Sequence, residues 1–284
     1  MKNTTALISC ALILLSFTLL FASCKKADKT DSLAPGLYDK GGNLISSWDE
    51  LVRTYGFDVE RDYTYDTHPE SPSCILADNS ELSQGVTLVI GAVTKIGNMS
   101  FKFCETLSTV IIPDSVTSIG NEAFWFCSSL KKINLGSEIT DIGDSAFTAC
   151  TSLKSISIPE KVTQIGSGAF QRCTSLESIT LPDSIEIIHS SLFASCENLK
   201  TVKMGNNVKT ISFNAFSATA LTSLTIPKSV TIIEGEAFTE CTNLTSITFE
   251  GSVSEWNLVE KGTNWNGSIP AAEIKCSDGT VPLK

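Results

Sequence analysis

A fixed 23-residue step governs this chain. Cys104, Cys127, Cys150, Cys173 and Cys196 follow one another at that interval. Phe101, Phe124, Phe147, Phe170, Phe193 and Phe216 keep the same step, and Phe238 comes after 22 residues. In the shortened unit Thr219 stands where the cysteine would be. Self-similarity at a fixed short period is the mark of a stacked-repeat architecture, in which each unit packs only on its neighbours.

One unit shows why stacking is required. In Leu153-Lys-Ser-Ile156-Ser-Ile158-Pro159 the apolar residues at positions 1, 4 and 6 predict a short strand, and Pro159 ends it because proline cannot donate to a ladder. Val162 and Ile165 make a second short apolar pass, and Gly166 is expected to let the chain turn. Ala169 and Phe170 return to the core ahead of Cys173, read here as a small buried hydrophobe. About eight residues in each unit face inward, too few for one unit to fold alone. Stacked at roughly 4.8 Å per coil, the units bury a continuous column and pair every strand but the terminal ones. A right-handed parallel β-helix obeys the same logic and is the alternative architecture.

The period and the Leu-x-x-Ile-x-Ile-Pro strand fall in the leucine-rich-repeat range, although Lys161 sits where an Asn ladder is expected. The segment Ile112-Pro-Asp-Ser-Val-Thr-Ser-Ile-Gly-Asn-Glu-Ala-Phe124 resembles the BspA-like, Treponema-type repeat throughout. The resemblance covers about residues 82–250. It implies a leucine-rich-repeat solenoid with short parallel β-strands on the concave face and irregular, short β or 3-10 segments on the convex side. It also implies adhesion to host or neighbouring-cell macromolecules.

Before the repeats, Lys2 is followed by a mostly apolar run from Ala6 to Ala22, the layout of a secretory signal. An uncleaved anchor helix is the alternative, against which the run is short. Phe21-Ala-Ser-Cys24 resembles the relaxed lipobox of Bacteroides-type and spirochaete lipoproteins, which implies lipidation at Cys24. Two or more acyl chains at ~0.8 kcal/mol per buried CH₂ give stable anchoring. The expected organisation is a signal at 1–23, a lipid-anchored tether at 24–35, an N-terminal cap and connector at 36–81, the solenoid at 82–250 and a C-terminal cap at 251–284. In the first cap, Gly36 to Ile45 reads as a hairpin with Gly41-Gly42 in its turn, and Ser47-Trp-Asp-Glu50 as a capping box. Trp48, Leu51, Val52 and Tyr55 then share one helix face, and residues 58–80 read as an irregular connector. At the other end Trp256 and Trp265 either close the last coil or stack on a sugar.

Chemistry-bearing motifs are scarce. The two histidines, His68 and His189, give little material for acid–base or metal chemistry, and His189 reads as a substituted turn residue. No phosphate loop, HExxH or Gly-x-Ser-x-Gly is present, so neither catalysis nor a cofactor or metal is expected. Of ten cysteines, six form the ladder, Cys10 and Cys24 lie in the leader, and Cys74 and Cys276 lie at the ends. Ladder Cα atoms about 5 Å apart fall inside the range for bridging, but identical inward vectors favour free buried thiols.

Charge supplies the functional clue. The chain carries −10, and removing the leader with Lys2 leaves −11, which excludes a nucleic-acid footprint. Strand positions 2, 3 and 5, however, are rich in Ser, Thr and Lys. They include Lys131, Lys132, Asn134, Lys154, Ser155, Ser157, Ser178, Thr180, Lys200, Thr201, Lys203 and Thr225, the expected partner-binding residues. Five Lys against Glu177 alone give this face about +4 on an acidic molecule, suited to a protein or other acidic macromolecular partner. The bland alternative is that hydroxyls suit exposed strands and lysines guard them from aggregation. A glycan-binding module, with the terminal tryptophans exposed, and a structural envelope protein without a soluble ligand are the rival functions.

Overall fold

The computed structural model describes residues 33–55, 58–62, 85–267 and 269–283. The leader, Cys24, Cys74, His68 and connector residues 63–84 lie outside them. Residues 34–284 form one compact unit, a leucine-rich-repeat solenoid whose coils each contribute three walls.

The front wall holds the longer strands, among them Leu107–Ile111, Lys132–Asn134, Ser178–Thr180, Thr201–Lys203, Ser223–Ile226 and Ser246–Phe249. They pair in parallel and in register from coil to coil, Ser178 with Thr201 and Thr225 with Thr248. The back wall is a ladder of two-residue strands such as Ser118–Ile119, Asp141–Ile142 and Thr210–Ile211, also parallel. In both walls alternation sends Ile, Leu and Val inward and polar residues outward.

The third wall is a run of tight turns. Each coil places two residues there with φ near +60°, as at Glu122 and Phe126 or Ser145 and Ala149. Only Gly168 among these sites is a glycine, so other residues pay the left-handed strain. That conformation aims their amides at the next coil. Glu122 N donates to Asp144 O and Phe126 N to Thr148 O, both at 2.8 Å. Inter-coil hydrogen bonds thus offset the strain.

The repeated phenylalanines form one spine. From Phe101 to Phe238 successive rings stack 5.1–5.9 Å apart, within 2–19° of parallel. The cysteines lie beside it as free, buried thiols. They are more than small hydrophobes, because from Cys127 on each ladder Sγ donates to the phenylalanine carbonyl of the preceding coil: Cys127 to Phe101 O at 3.0 Å and Cys173 to Phe147 O at 3.1 Å. Burial pushes the thiols of Cys127, Cys150 and Cys173 well above their ordinary range, and Cys196 up to about 12. Thr219 keeps a donor in the same slot, 3.3 Å from Cys241 Sγ.

Four sequence-based expectations need correction. Gly166 does not supply a left-handed turn. A Cβ there would stand 2.4 Å from Asp144 Oδ1, so glycine is needed for close approach between coils. The Asn ladder expected near Lys161 lies instead after those glycines. Asn98 Oδ1 accepts from Asn121 N, Asn121 Oδ1 from Asp144 N, and Asp144 Oδ1 from Ser167 N. Beyond Ser167 the side chain is too short to continue it, and the next glycine slot holds His189. Third, front pairing is not continuous. The sheet stops at Lys132–Asn134 and resumes at Ser178–Thr180, with only the bridge Ser155↔Ser178 between, and it breaks again before Ser223–Ile226. In the turn after the front strand, Ser184 Oγ donates to Glu160 O and Val162 O of the preceding coil.

The fourth correction is at the N-terminal end. Gly36–Tyr38 pairs antiparallel with both Leu44–Ser47 and Val86–Val89, which closes the edge of the first front strand. The helix Trp48–Tyr55 buries Leu51 and leans Trp48 on Gly91, but Val52 faces solvent. Ser47 Oγ accepts from Glu50 N as expected. The Glu50 carboxylate takes a hydrogen bond from Ser46 Oγ, so the capping box is only half made. Residues 58–62 sit against the first coil: Gly97 N donates to Val59 O, and Asp62 Oδ1 accepts from Asn98 N.

Candidate functional site

Alternation along each front strand pins one residue inward and turns its two neighbours to solvent, so the pleat fixes which side chains reach a partner. Register then aligns them in columns across the coils. Thr109 pairs with Lys132, Ser155 with Ser178 and Ser178 with Thr201 in one column. Ile111 pairs with Asn134, Thr180 with Lys203 and Thr225 with Thr248 in another. Lys131, Lys154, Glu177 and Lys200 open their strands, joined by the bonds Lys131 N→Ser108 O, Glu177 N→Lys154 O and Lys200 N→Glu177 O.

All twelve expected contact residues therefore lie on the front wall. Lys131, Lys132, Lys154, Ser155, Ser157, Ser178, Thr180, Lys200, Thr201, Lys203 and Thr225 are exposed, and Asn134 is half-buried. The columns are interrupted where the sheet is interrupted, at the coil of Ser155 and again past Lys203. Sequence reading missed Lys275. It pairs with Thr248 and extends a front column into the closing coil. Lys275 follows Thr248 by 27 positions, off the 23-residue step, and only the alternation in Glu273-Ile274-Lys275 could have signalled it.

Between Lys154 and Lys203 the face sinks into a basin of about 270 Å³. Its lining includes Ser155, Ser157, Ser178, Thr180 and, at one end, Glu160 and Pro182. Among the described residues Lys131, Lys154, Lys200 and Lys203 have no carboxylate within 4.0 Å. Off the face, Lys95 pairs with Asp62, Lys102 with Glu122, Lys161 with Glu138 and Lys209 with Glu186.

The terminal tryptophans do not form a sugar platform. Trp256 is 2% and Trp265 8% exposed. Trp265 meets Phe238 edge-on, 6.1 Å away at 79°, and so ends the parallel stack of rings. Trp256 packs on Trp265 and Phe249, roofed by Lys261, whose ammonium lies 4.6 Å from the indole centre. The glycan reading that needed these rings exposed fails on their burial. His189 is half-buried in the glycine slot, and among the described residues no group of three or more His, Cys, Asp or Glu is placed to hold a metal.

Comparison with known proteins agrees with this geometry. The BspA type leucine rich repeat region matches in six copies, over residues 86–193 and 163–258. A leucine-rich cell surface protein of Faecalibacterium prausnitzii is 34% identical over 60% of this chain and 51% of that one, with a TM-score of 0.54. The chain thus spans about half the length of that relative. A leucine-rich repeat protein of T. pallidum shares the fold at 24% identity and a TM-score of 0.50, over 66% of this chain and 86% of that one. No curated protein matches. The repeat matches cover well over half of the sequence, and this chain belongs to the BspA-type leucine-rich-repeat family.

Proposed function

We propose that this protein is a non-enzymatic binding module, held on the outside of a bacterial envelope by lipid at Cys24, that engages an acidic protein partner through its front wall. The observation that carries the reading is the gathering of unpaired cations on one wall. Lys131, Lys154, Lys200 and Lys203 stand without carboxylate partners along one wall of a molecule of net charge −10. Unpaired cations on one face attract an anionic surface, speed its encounter and make the contact sensitive to salt. The cell-surface relative supports placement outside the cell, and the Phe21-Ala-Ser-Cys24 motif supports the lipid. Adhesion is the corresponding biological role.

The test joins place and face. Antibody labels intact cells carrying the protein and loses the signal with Cys24→Ala, whose product is released. Charge reversal at Lys131→Glu with Lys200→Glu lowers capture of poly-glutamate by those cells, and added salt erases the difference. Labelling that appears only after envelope lysis removes the adhesive reading. Capture indifferent to the reversed charges leaves a structural envelope protein instead.

A further inference from the structure

The front wall carries hydroxyls along its whole length, but they are not equivalent. Ser108 Oγ donates to Val86 O at 3.1 Å and Thr245 Oγ1 to Thr222 O at 3.3 Å, each spent on the preceding coil. Among the described residues the hydroxyls of Ser155, Ser157, Ser178 and Thr180 have no hydrogen-bond partner, as is also true of Ser223, Thr225, Ser246 and Thr248 further along the wall, but the first four line the basin. They form a two-by-two block, because Ser155 and Ser178 face one another across an isolated bridge and Ser157 and Thr180 follow two residues on. The basin thus gathers four available O–H donors where the regular front sheet is interrupted. Lys154, one residue before Ser155, supplies a cation beside them.

Four neutral donors and an adjacent ammonium suit an anionic oxygen group. A carboxylate has two oxygens with about four acceptor sites, matching the four hydroxyls. Hydrogen bonds to an ionised acceptor are also stronger than those to a neutral one. We infer that the basin is a subsite that seats one side-chain carboxylate of an acidic polypeptide, a specificity point within the binding face proposed above and dependent on that reading. Two observations favour a polypeptide over a sulfated polysaccharide. The lining contains no aromatic ring on which a sugar could stack. Glu160 lines one end and Glu177 flanks Lys154, so repulsion grows with the charge density of the ligand and weighs more on a sulfated polysaccharide than on a chain with one carboxylate per residue.

The experiment measures binding of the full chain, in detergent, to a fluorescent poly-glutamate peptide and to fluorescent dextran sulfate, across a salt series. Ser155→Ala with Ser178→Ala removes basin donors without adding bulk. Thr222→Ala with Thr225→Ala is the control elsewhere on the face, and Lys131→Gln with Lys200→Gln probes the wider charge. Matching thermal unfolding curves establish that every variant is folded. The expected result is that the basin pair weakens poly-glutamate about tenfold with an unchanged salt slope. The threonine pair should do nothing, and the lysine pair should flatten the slope. Loss on the lysine pair with no effect of the basin pair overturns the subsite and leaves the face reading standing. Indifference to all three variants overturns both. Dextran sulfate bound more tightly than poly-glutamate, with the same dependence on the basin, replaces the polypeptide by a sulfated polysaccharide.

Discussion

Phe170 sits midway along a column of parallel rings, 5.5 Å from Phe147 and 5.9 Å from Phe193. Truncating it to alanine opens a void that no flexible neighbour can fill. Phe170→Ala should cost about 3–5 kcal/mol in urea denaturation. The thiols beside the spine give a second residue-scale expectation. Buried and held far from ionisation, Cys127, Cys150, Cys173 and Cys196 should resist a thiol reagent at neutral pH while half-buried Cys276 reacts. Unfolding in guanidinium should release the rest together, and early labelling of the ladder would contradict the packing. Glycine tells a finer story. A Cβ at Gly143 would stand 2.5 Å from Asn121 Oδ1, so Gly143→Ala should lower the melting temperature, whereas His189→Gly should leave it nearly unchanged. The spacing of apolar residues revealed where glycine recurs but not why. The reason is an atom of the preceding coil, 22 positions away, which no local pattern reveals.

At the scale of single elements, side chains bind successive coils and ends. Glu60 holds Thr94 through both its amide and its hydroxyl at 2.7 Å, and Glu255 closes the capping box of helix Val253–Leu258 with Ser252. Backbone hydrogen bonds first, then hydroxyls, pull both carboxyls below their usual range, and Ser137 does the same for Asp114. A depressed folded-state pKa means that the unfolded chain binds protons more readily. The stabilisation is therefore whole above the unfolded value near ~4 and fades as pH falls through the folded values. Melting temperatures measured from pH 7 down to 2 should drop in that acid window, and Glu60→Gln should shrink the drop. Losing the cap at Ser252→Ala should cost about 1 kcal/mol. The front strands, hairpin and first helix could all be anticipated from alternation and turn residues. The breaks in the front sheet could not, because the Leu153–Ile158 segment keeps the consensus and yet makes a single isolated bridge, Ser155 with Ser178.

For the molecule as a whole, stability is a sum over neighbouring coils and the two closures. Duplicating residues 128–150 should lengthen the stack by about 4.8 Å and raise the urea m-value, since one more coil is buried. Removing residues 251–284 should do the opposite and cause aggregation, because it strips the tryptophans from the end of the phenylalanine spine. The contact face belongs to this scale too. Its composition could be read from strand positions alone, but the basin exists only because two coils set four small side chains side by side.

The side-chain and thiol bonds between coils have one more consequence, for the order in which structure can form. They join residues mostly 20–26 positions apart, whatever the length of the finished stack. Loop closure over so short a span is inexpensive and is repaid at once by the next layer. A chain that emerges from its N-terminal end can therefore complete each layer as it appears, with the hairpin and helix of the first cap as the starting template. The last coil of the spine, by contrast, is closed by Trp265, 27 positions after Phe238.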